Sequence, residues 1–457
     1  MRWFLSVILL LIVSITQAQD ADYWYYMVDD GGTLYGYNTA DGEIRTVATD
    51  FDDFQVVLRI DEERLFTFIE LSDDVYQLTL ITPDGVEAVV SDLPGIFIPV
   101  DYNPPYLVMG VAVPSFLSEP AIVINLDTYA VTYLTVASIG SVSSCCALDG
   151  NMLHYAFQEG EEIQLRTLNL ETQEEETFFS SPRTSYLIPS QDATLWIMRD
   201  MSTEGDVRQQ VFSMIDTSGE VTILSEHEVS ASPTLPKYLF FEDYLITIYQ
   251  FCEVDCVYTF TDLNTGESRD FMAQPNAEFL QPVYIDEDVL ITYSTDSALL
   301  RVTQDAPPEV LGYRNMMSIH GIHTSPDGLW YVVADDITQP QQIMVWNYES
   351  QYPVVQQEIQ DNNIYNVIHH DDYLALINLM EPSTSLIIDK QTNEVFDISG
   401  LNATRVHIIG IVDNELLLRI GDDDMTGVYR YNWETEELTL LMEGNLFWLE
   451  GRSIASF

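Results

Sequence analysis

Ten apolar residues, each opening a strand-like run just after a short polar turn, recur along this chain: Trp24, Leu65, Leu107, Leu153, Leu195, Leu245, Leu290, Trp330, Leu374 and Leu416. The intervals between them are 41, 42, 46, 42, 50, 45, 40, 44 and 42 residues. A fixed period of this size is the mark of stacked supersecondary units that cannot bury their apolar faces alone, and it is the length a four-stranded propeller blade needs.

The interior of each unit agrees with that reading. An apolar strand of five to eight residues follows the anchor, as in Leu245-Ile246-Thr247-Ile248-Tyr249, and a further strand follows after a loop, as in Val257-Tyr258-Thr259-Phe260. Next comes a tight polar turn, clearest in Asp262-Leu263-Asn264-Thr265-Gly266-Glu267 and repeated as Asn125-Leu126-Asp127-Thr128, Asn169-Leu170-Glu171-Thr172 and Asn432-Trp433-Glu434-Thr435. Asn and Asp at such positions bond their own backbone and tolerate the dihedrals a hairpin demands. A more polar strand comes next, and an apolar segment such as Val406–Val412 leads to the following anchor. The mature chain carries no long amphipathic helical pattern.

The two ends complement one another. Asp20-Ala21-Asp22-Tyr23-Trp24 aligns with the turn and anchor of a unit, as in Val412-Asp413-Asn414-Glu415-Leu416, so the first unit lacks its leading strand. Leu446-Phe447-Trp448-Leu449 resembles that missing strand and would close the first sheet from the other end of the chain, removing exposed edges. The expected fold is therefore all-β, a β-propeller of four-stranded antiparallel blades with about ten units. One ring closed by the C-terminal strand, two smaller rings, and a ring of seven or eight blades all remain open here. The complementary ends favour one ring, and the seventh unit has the weakest turn, with Pro307-Pro308 in place of the polar pattern.

Residues 1–18 read as a secretory signal peptide: Met1-Arg2, an apolar core from Trp3 to Ile15, then Thr16-Gln17-Ala18 ahead of Gln19-Asp20. That core is shorter than the roughly 20 residues a membrane span needs. Residues 19–457 form the expected propeller domain, secreted or periplasmic, with no membrane insertion after cleavage. Acidic residues number 73 against 17 basic ones, for a net charge of −56, and Lys237 and Lys390 are the only lysines. Such a surface lacks the clustered cations that phosphate recognition requires, which excludes nucleic acid as a partner. With 47% hydrophobic residues the acidity is not that of a disordered chain. In an exported chain Cys252 and Cys256, bracketing Glu253-Val254-Asp255, are candidates for a disulfide across a hairpin. Adjacent Cys145 and Cys146 have two outcomes open to them, a strained vicinal disulfide or two buried thiols, and the thiols are favoured because neighbouring cysteines bridge only with backbone distortion.

Ser325-Pro326-Asp327-Gly328-Leu329-Trp330, followed by Tyr331-Val332-Val333-Ala334, resembles the Ser-Pro-Asp-Gly signature of TolB-like propeller repeats. The turn at 262–267 is similar to that of the same group and of WD40-like propellers. The full signature occurs once, with degraded echoes at Ser190-Gln191-Asp192-Ala193 and His370-Asp371-Asp372-Tyr373; Thr82-Pro83-Asp84-Gly85 belongs to a different hairpin. The resemblance implies a fold and no activity, since propellers of this group serve as scaffolds, peptidase-associated domains and lyases.

Chemistry is sparsely signalled. The chain has no Gly-x-Ser-x-Gly elbow, no His-Glu-x-x-His and no glycine-rich phosphate loop. A propeller-plus-hydrolase peptidase would need an added α/β domain, and the repeat leaves no room for one. Of seven histidines, His320 and His323 fall in an expected channel-lining strand and His369 in the equivalent segment one unit on. Together with Asp371 they are the candidate binding residues, converging at the channel if neighbouring units bring them together. Asp422-Asp423-Asp424 and Asp50–Asp53 lack the spacing of a calcium loop and read as solvated turns. The sequence implies no resident cofactor, with a divalent cation the one ion its side chains suit. The expected function is a monomeric module that binds a protein or glycan through loops on one face. The alternative is a carbohydrate-active lyase or hydrolase with its site at the central channel.

Overall fold

The period and the apolar alternation within each unit produce ten four-stranded antiparallel blades arranged in one ring. The structure, a computed structural model, describes residues 23–453 apart from 52–53, 73–74, 112–117, 138–145, 160–161, 182–183, 191–193, 205–206, 229–235, 242, 250–256, 273–280, 286–288, 294–297, 304–307, 314–322, 326–328, 336–341, 349, 351, 359–364, 371, 379–380, 402, 404–405, 413, 423–424 and 450–451. Blades 2 to 10 span residues 54–93, 97–137, 146–181, 184–228, 236–272, 281–313, 323–358, 365–397 and 406–443. Within each, the chain runs from the innermost strand outward. All ten anchors fall at the first or second position of a blade's second strand, and all but Leu195 are buried.

Blade 1 is assembled from both ends of the chain. Its second, third and outermost strands are Trp24–Asp29, Leu34–Asn38 and Ile44–Ala48, while its innermost strand is Leu446–Trp448. The closing strand pairs antiparallel through Met27↔Trp448, Val28↔Phe447 and Asp29↔Leu446. The chain then goes one step further than the sequence suggests. Arg452 and Ser453 pair in parallel with Leu58 and Arg59, adding a fifth, inner strand to blade 2.

The core is not a single mass. It is divided into ten apolar clusters, one at each junction between neighbouring blades. Phe66, Phe68, Leu78 and Leu80 of blade 2, for example, pack on Phe97, Leu107, Met109 and Ile122 of blade 3. At the closing junction Tyr25, Met27, Tyr37 and Leu446 of blade 1 meet Ile409, Leu417 and Val428 of blade 10. The Tyr25 hydroxyl lies so close to Gly410 that any side chain there would collide with it. Blades 7 and 8 are joined more tightly still, since Tyr313 on the outermost strand of blade 7 bridges to Ala334 of blade 8. Ten occupied junctions, including the one between the first and last blades, describe a closed ring.

Cys146, the one cysteine among the described residues, is buried on the innermost strand of blade 4 and is disulfide-bonded. This corrects the expectation of a thiol there; the burial is as expected. Cys145, Cys252 and Cys256 lie outside the described residues.

Three of the scarce arginines pin neighbouring blades together. Arg59, buried at the end of the innermost strand of blade 2, donates to the carbonyl oxygens of Trp24 and Asp61, each at 3.1 Å, and its guanidinium sits 4.4 Å from the Tyr23 ring. Arg64 pairs with Asp61 and reaches Leu126 O at 2.8 Å and the Tyr129 hydroxyl at 2.9 Å, tying blade 2 to blade 3. Arg301 of blade 7 donates to Tyr348 O and Ser350 O of blade 8, both at 2.9 Å.

Arg59→Leu leaves buried carbonyls without their donor and should lower the unfolding free energy by about 2–3 kcal/mol in urea titrations; Arg59→Lys, lacking the planar fork, should recover only part of it. Removal of residues 446–457 should strip the closing strand from blade 1 and lower the thermal midpoint, with blade 1 amides losing hydrogen-exchange protection first.

Candidate functional site

The antiparallel order gives the ring two unlike faces. Turns from first to second and from third to fourth strands emerge together on one, the turn face. Connections from second to third strands and from blade to blade emerge on the other, the loop face.

The turn face repeats one capped turn between third and fourth strands in five of the ten blades. The side-chain oxygens of Asn125, Asn169, Asp262, Asp389 and Asn432 each accept two backbone N–H groups, from the residues two and three positions on, at 2.8–3.1 Å. The residue four positions on then takes a left-handed backbone: Tyr129, Gln173, Gly266, Asn393 and Glu436. In four of these turns the residue after the capping side chain also donates to the turn preceding the anchor, as Leu126 N does to Pro105 O, Leu170 N to Asn151 O, Leu263 N to Asp243 O and Lys390 N to Asp372 O. The two turns of a blade are thus stitched together. Backbone groups satisfied so completely in a repeated pattern leave little for a ligand.

The loop face is where blades differ. Its connections differ in length: four residues, Asp30–Thr33, join the second and third strands of blade 1, while two positions separate the strand ends Glu159 and Glu162 in blade 4 and eight separate Met272 from Gln281 between blades 6 and 7. Among the described residues a cleft of about 350 Å³ opens on this face, at the seam where the ring closes. Its walls are Asp29, Asp30, Gly31 and Tyr35 of blade 1, and Met442, Glu443, Gly444, Asn445 and Leu446 from the end of blade 10 and the closing strand.

The polar groups of the cleft are held in place. Asp29 accepts hydrogen bonds from Gly31 N at 2.8 Å, Thr33 N at 2.9 Å and the Tyr35 hydroxyl at 2.9 Å. The Thr33 N–H contributes most to holding this carboxyl below its ordinary range. Asn445 donates from Nδ2 to both oxygens of Asp30, at 3.1 and 3.2 Å, and accepts at Oδ1 from Arg419 at 2.8 Å. The Arg419 guanidinium also lies 5.3 Å from the centre of the half-exposed Phe447 ring. Sequence reasoning missed this site. Asp30 and Asn445 stand 415 positions apart, and only the closure of the ring joins them.

The sequence-derived candidates are placed as follows. His323 is on the innermost strand of blade 8, paired with Val332, and His369 is on the innermost strand of blade 9, paired with the anchor Leu374. Both positions therefore belong to channel-lining strands of adjacent blades. They are not level: extending the blade 8 pairing puts Ser325 opposite the anchor Trp330, so His323 sits two residues, or about 6–7 Å, further from the turn face than His369. His320 and Asp371 lie outside the described residues. His154 is buried at a blade junction, hydrogen-bonded through Nδ1 to Thr167 Oγ1 at 2.8 Å, which marks it as structural. Among the described residues no group of three or more His, Cys, Asp or Glu side chains is placed to hold a metal ion, and no helix is long and apolar enough to cross a membrane.

No protein-family model and no curated protein sequence matches the chain. Solved structures do. A eukaryotic initiation factor is 10% identical with a TM-score of 0.44, over 95% of this chain and 100% of that one. The β-propeller domain of the Trilobed protease from Pyrococcus furiosus is 13% identical with a TM-score of 0.28, over 76% of this chain and 98% of that one. An acylaminoacyl peptidase from Pyrococcus horikoshii is 11% identical with a TM-score of 0.36, over 72% of this chain. The chain spans little more than half the length of the acylaminoacyl peptidases it matches, 52% of one and 58% of the other. The propeller assignment itself rests on the ten blades and their ten junctions, and the resemblance to TolB-like and WD40-like repeats stands at the level of that fold.

The carboxyls of Asp29, Asp216, Asp262 and Asp397 are all held below their ordinary range. Hydrogen bonds from Thr33 N, the Ser218 hydroxyl, Thr265 N and the Ser399 hydroxyl, respectively, are the leading causes. A carboxyl that gives up its proton more readily in the folded chain stabilises the fold above its unfolded pKa of about 4, and that contribution is lost as pH falls through the depressed value. Asp101 runs the other way: burial raises it, so its protonation on acidification favours the fold. Asp262→Asn should keep the turn, which Asn125, Asn169 and Asn432 make with the same bonds. The stability difference between parent and variant, read from urea midpoints, should shrink between about pH 5 and pH 2; a constant or growing difference would refute the assignment.

Proposed function

We propose that this chain is an exported, monomeric binding module that holds a protein or glycan on the loop face of its ring. The reading assigns residues 1–18 to a signal peptide removed on export and residues 19–457 to the working propeller, outside the cytoplasm. The contrast between the two faces carries it. One face repeats a single, internally satisfied turn in five blades, while the other varies in the length and composition of its connections. Binding residues concentrate on variable connections held by a rigid scaffold, and a ring offers many of them around one mouth. A net charge of −56 adds a long-range field that draws cationic partners and repels nucleic acid.

Short turns in place of residues 112–117, 229–235, 273–280 and 314–322 test this reading. The mature chain should retain one or more members of a defined panel of basic proteins, acidic proteins and neutral oligosaccharides. The reshaped chain should lose at least one of them while keeping its thermal midpoint, and changes at Glu171 and Glu434 on the turn face should have no effect. Turnover of an oligosaccharide, lost together with a bound divalent cation in His320→Ala, His323→Ala, His369→Ala or Asp371→Asn, would overturn the binding-module reading in favour of a channel enzyme.

A further inference from the structure

The seam cleft has a chemistry of its own. It is concave, about 350 Å³ in volume, and lies on the loop face between the blade 1 link Asp29–Gly31 and the chain segment Met442–Leu446. Met442 gives it an apolar flank, Tyr35 a wall both aromatic and polar, and Gly31 and Gly444 leave two stretches of wall without side chains. Three of its lining residues, Asp29, Asp30 and Glu443, are acidic, and none is basic.

The local bonding keeps that charge in place without cancelling it. Asp29 is fixed by two backbone N–H groups and a phenol, all neutral donors. Asp30 is met by the neutral amide of Asn445. The nearby cation, Arg419, is turned to Asn445 Oδ1 and the Phe447 ring. Glu443 is exposed at the lip. The carboxyls are spread along the cleft rather than gathered, since no group of three or more acidic, His or Cys side chains among the described residues is placed to hold a metal ion. A distributed negative lining beside an apolar flank suits an extended organic cation: the aliphatic stem lies along Met442 and the charged head reaches Asp30 and Glu443. The volume exceeds that of one lysine or arginine side chain, leaving room for the backbone that carries it.

We propose that the seam cleft is a docking pocket for a lysine or arginine side chain presented by a partner polypeptide. This deepens the binding-module reading and rests on it, choosing a basic protein segment over a glycan for this part of the loop face. Because the cleft exists only where the closing strand meets blade 1, its occupant contacts both ends of the chain at once. Docking there therefore also favours the closed ring.

The test uses the full mature chain and an acetylated, amidated peptide carrying alternating lysine and glycine, titrated calorimetrically at about 0.15 M salt. Asp30→Asn with Glu443→Gln should weaken binding roughly tenfold or more. Glu171→Gln with Glu434→Gln, which removes the same charge from the turn face, should change it little. The same peptide with its lysines acetylated should not bind. Equal weakening by the two double variants would overturn the proposal, because attraction would then be to net charge alone. Spermidine saturating the cleft as tightly as the peptide would replace the polypeptide with a free polyamine, and a neutral oligosaccharide lost with Asp30→Asn would replace it with a glycan. A loop-face partner that still binds the Asp30→Asn, Glu443→Gln chain would leave the binding-module reading standing while removing the cleft from it.

Discussion

Every blade of this protein has two apolar faces and can bury them only against its neighbours. A sheet such as blade 2 puts Phe66, Phe68 and Leu78 toward blade 3 and Leu65 and Ile81 toward blade 1. Leaving either face open would expose several large side chains, each worth about 1.5–3 kcal/mol of burial. Stacking more blades satisfies all but the first and last, and only a ring satisfies those. Closure is thus the constraint on which the rest depends. The chain meets it by sending Leu446–Trp448 back to blade 1 and Arg452–Ser453 on to blade 2.

The same constraint explains how an acidic chain spends its few cations. Arg59, Arg64 and Arg301 each donate to backbone carbonyls of a neighbouring blade, where a planar guanidinium reaches several acceptors at once. The turn face is therefore rigid in two ways, through the capped turns of five blades and guanidinium pins between some of the blades. The connections of the loop face differ in length from blade to blade, which makes it the side on which recognition can be built.

Much of this was legible in the sequence because it is local and repeated. The anchors mark the second strand of every blade, the Asn and Asp turns mark the third-to-fourth connection, and Thr82-Pro83-Asp84-Gly85 does join the third and fourth strands of blade 2. The short first unit and the spare strand at Leu446–Leu449 foretold the closure. Even the weak seventh unit, with Pro307-Pro308 in its turn, forms a blade, since Ala298–Thr303 and Glu309–Tyr313 still pair. What stayed hidden depends on contacts between distant residues. Nothing in the local pattern around Arg452 announces a parallel partner at Leu58, and nothing near Asp30 points to Asn445. Cys146 was misread because its burial is written in the pattern of its strand, whereas its oxidation is not. His323 and His369 share channel-lining strands, as their place in the repeat suggests, yet the pairing register offsets them, and register is invisible to spacing alone.

The central claim is one closed ring of ten blades, and imaging the mature protein down the ring axis tests it most directly. Electron-microscopy class averages should show ten spokes around a single central channel in every particle, with no gap between first and last. Two smaller rings side by side, or one ring of fewer blades with an appended lobe, would contradict it.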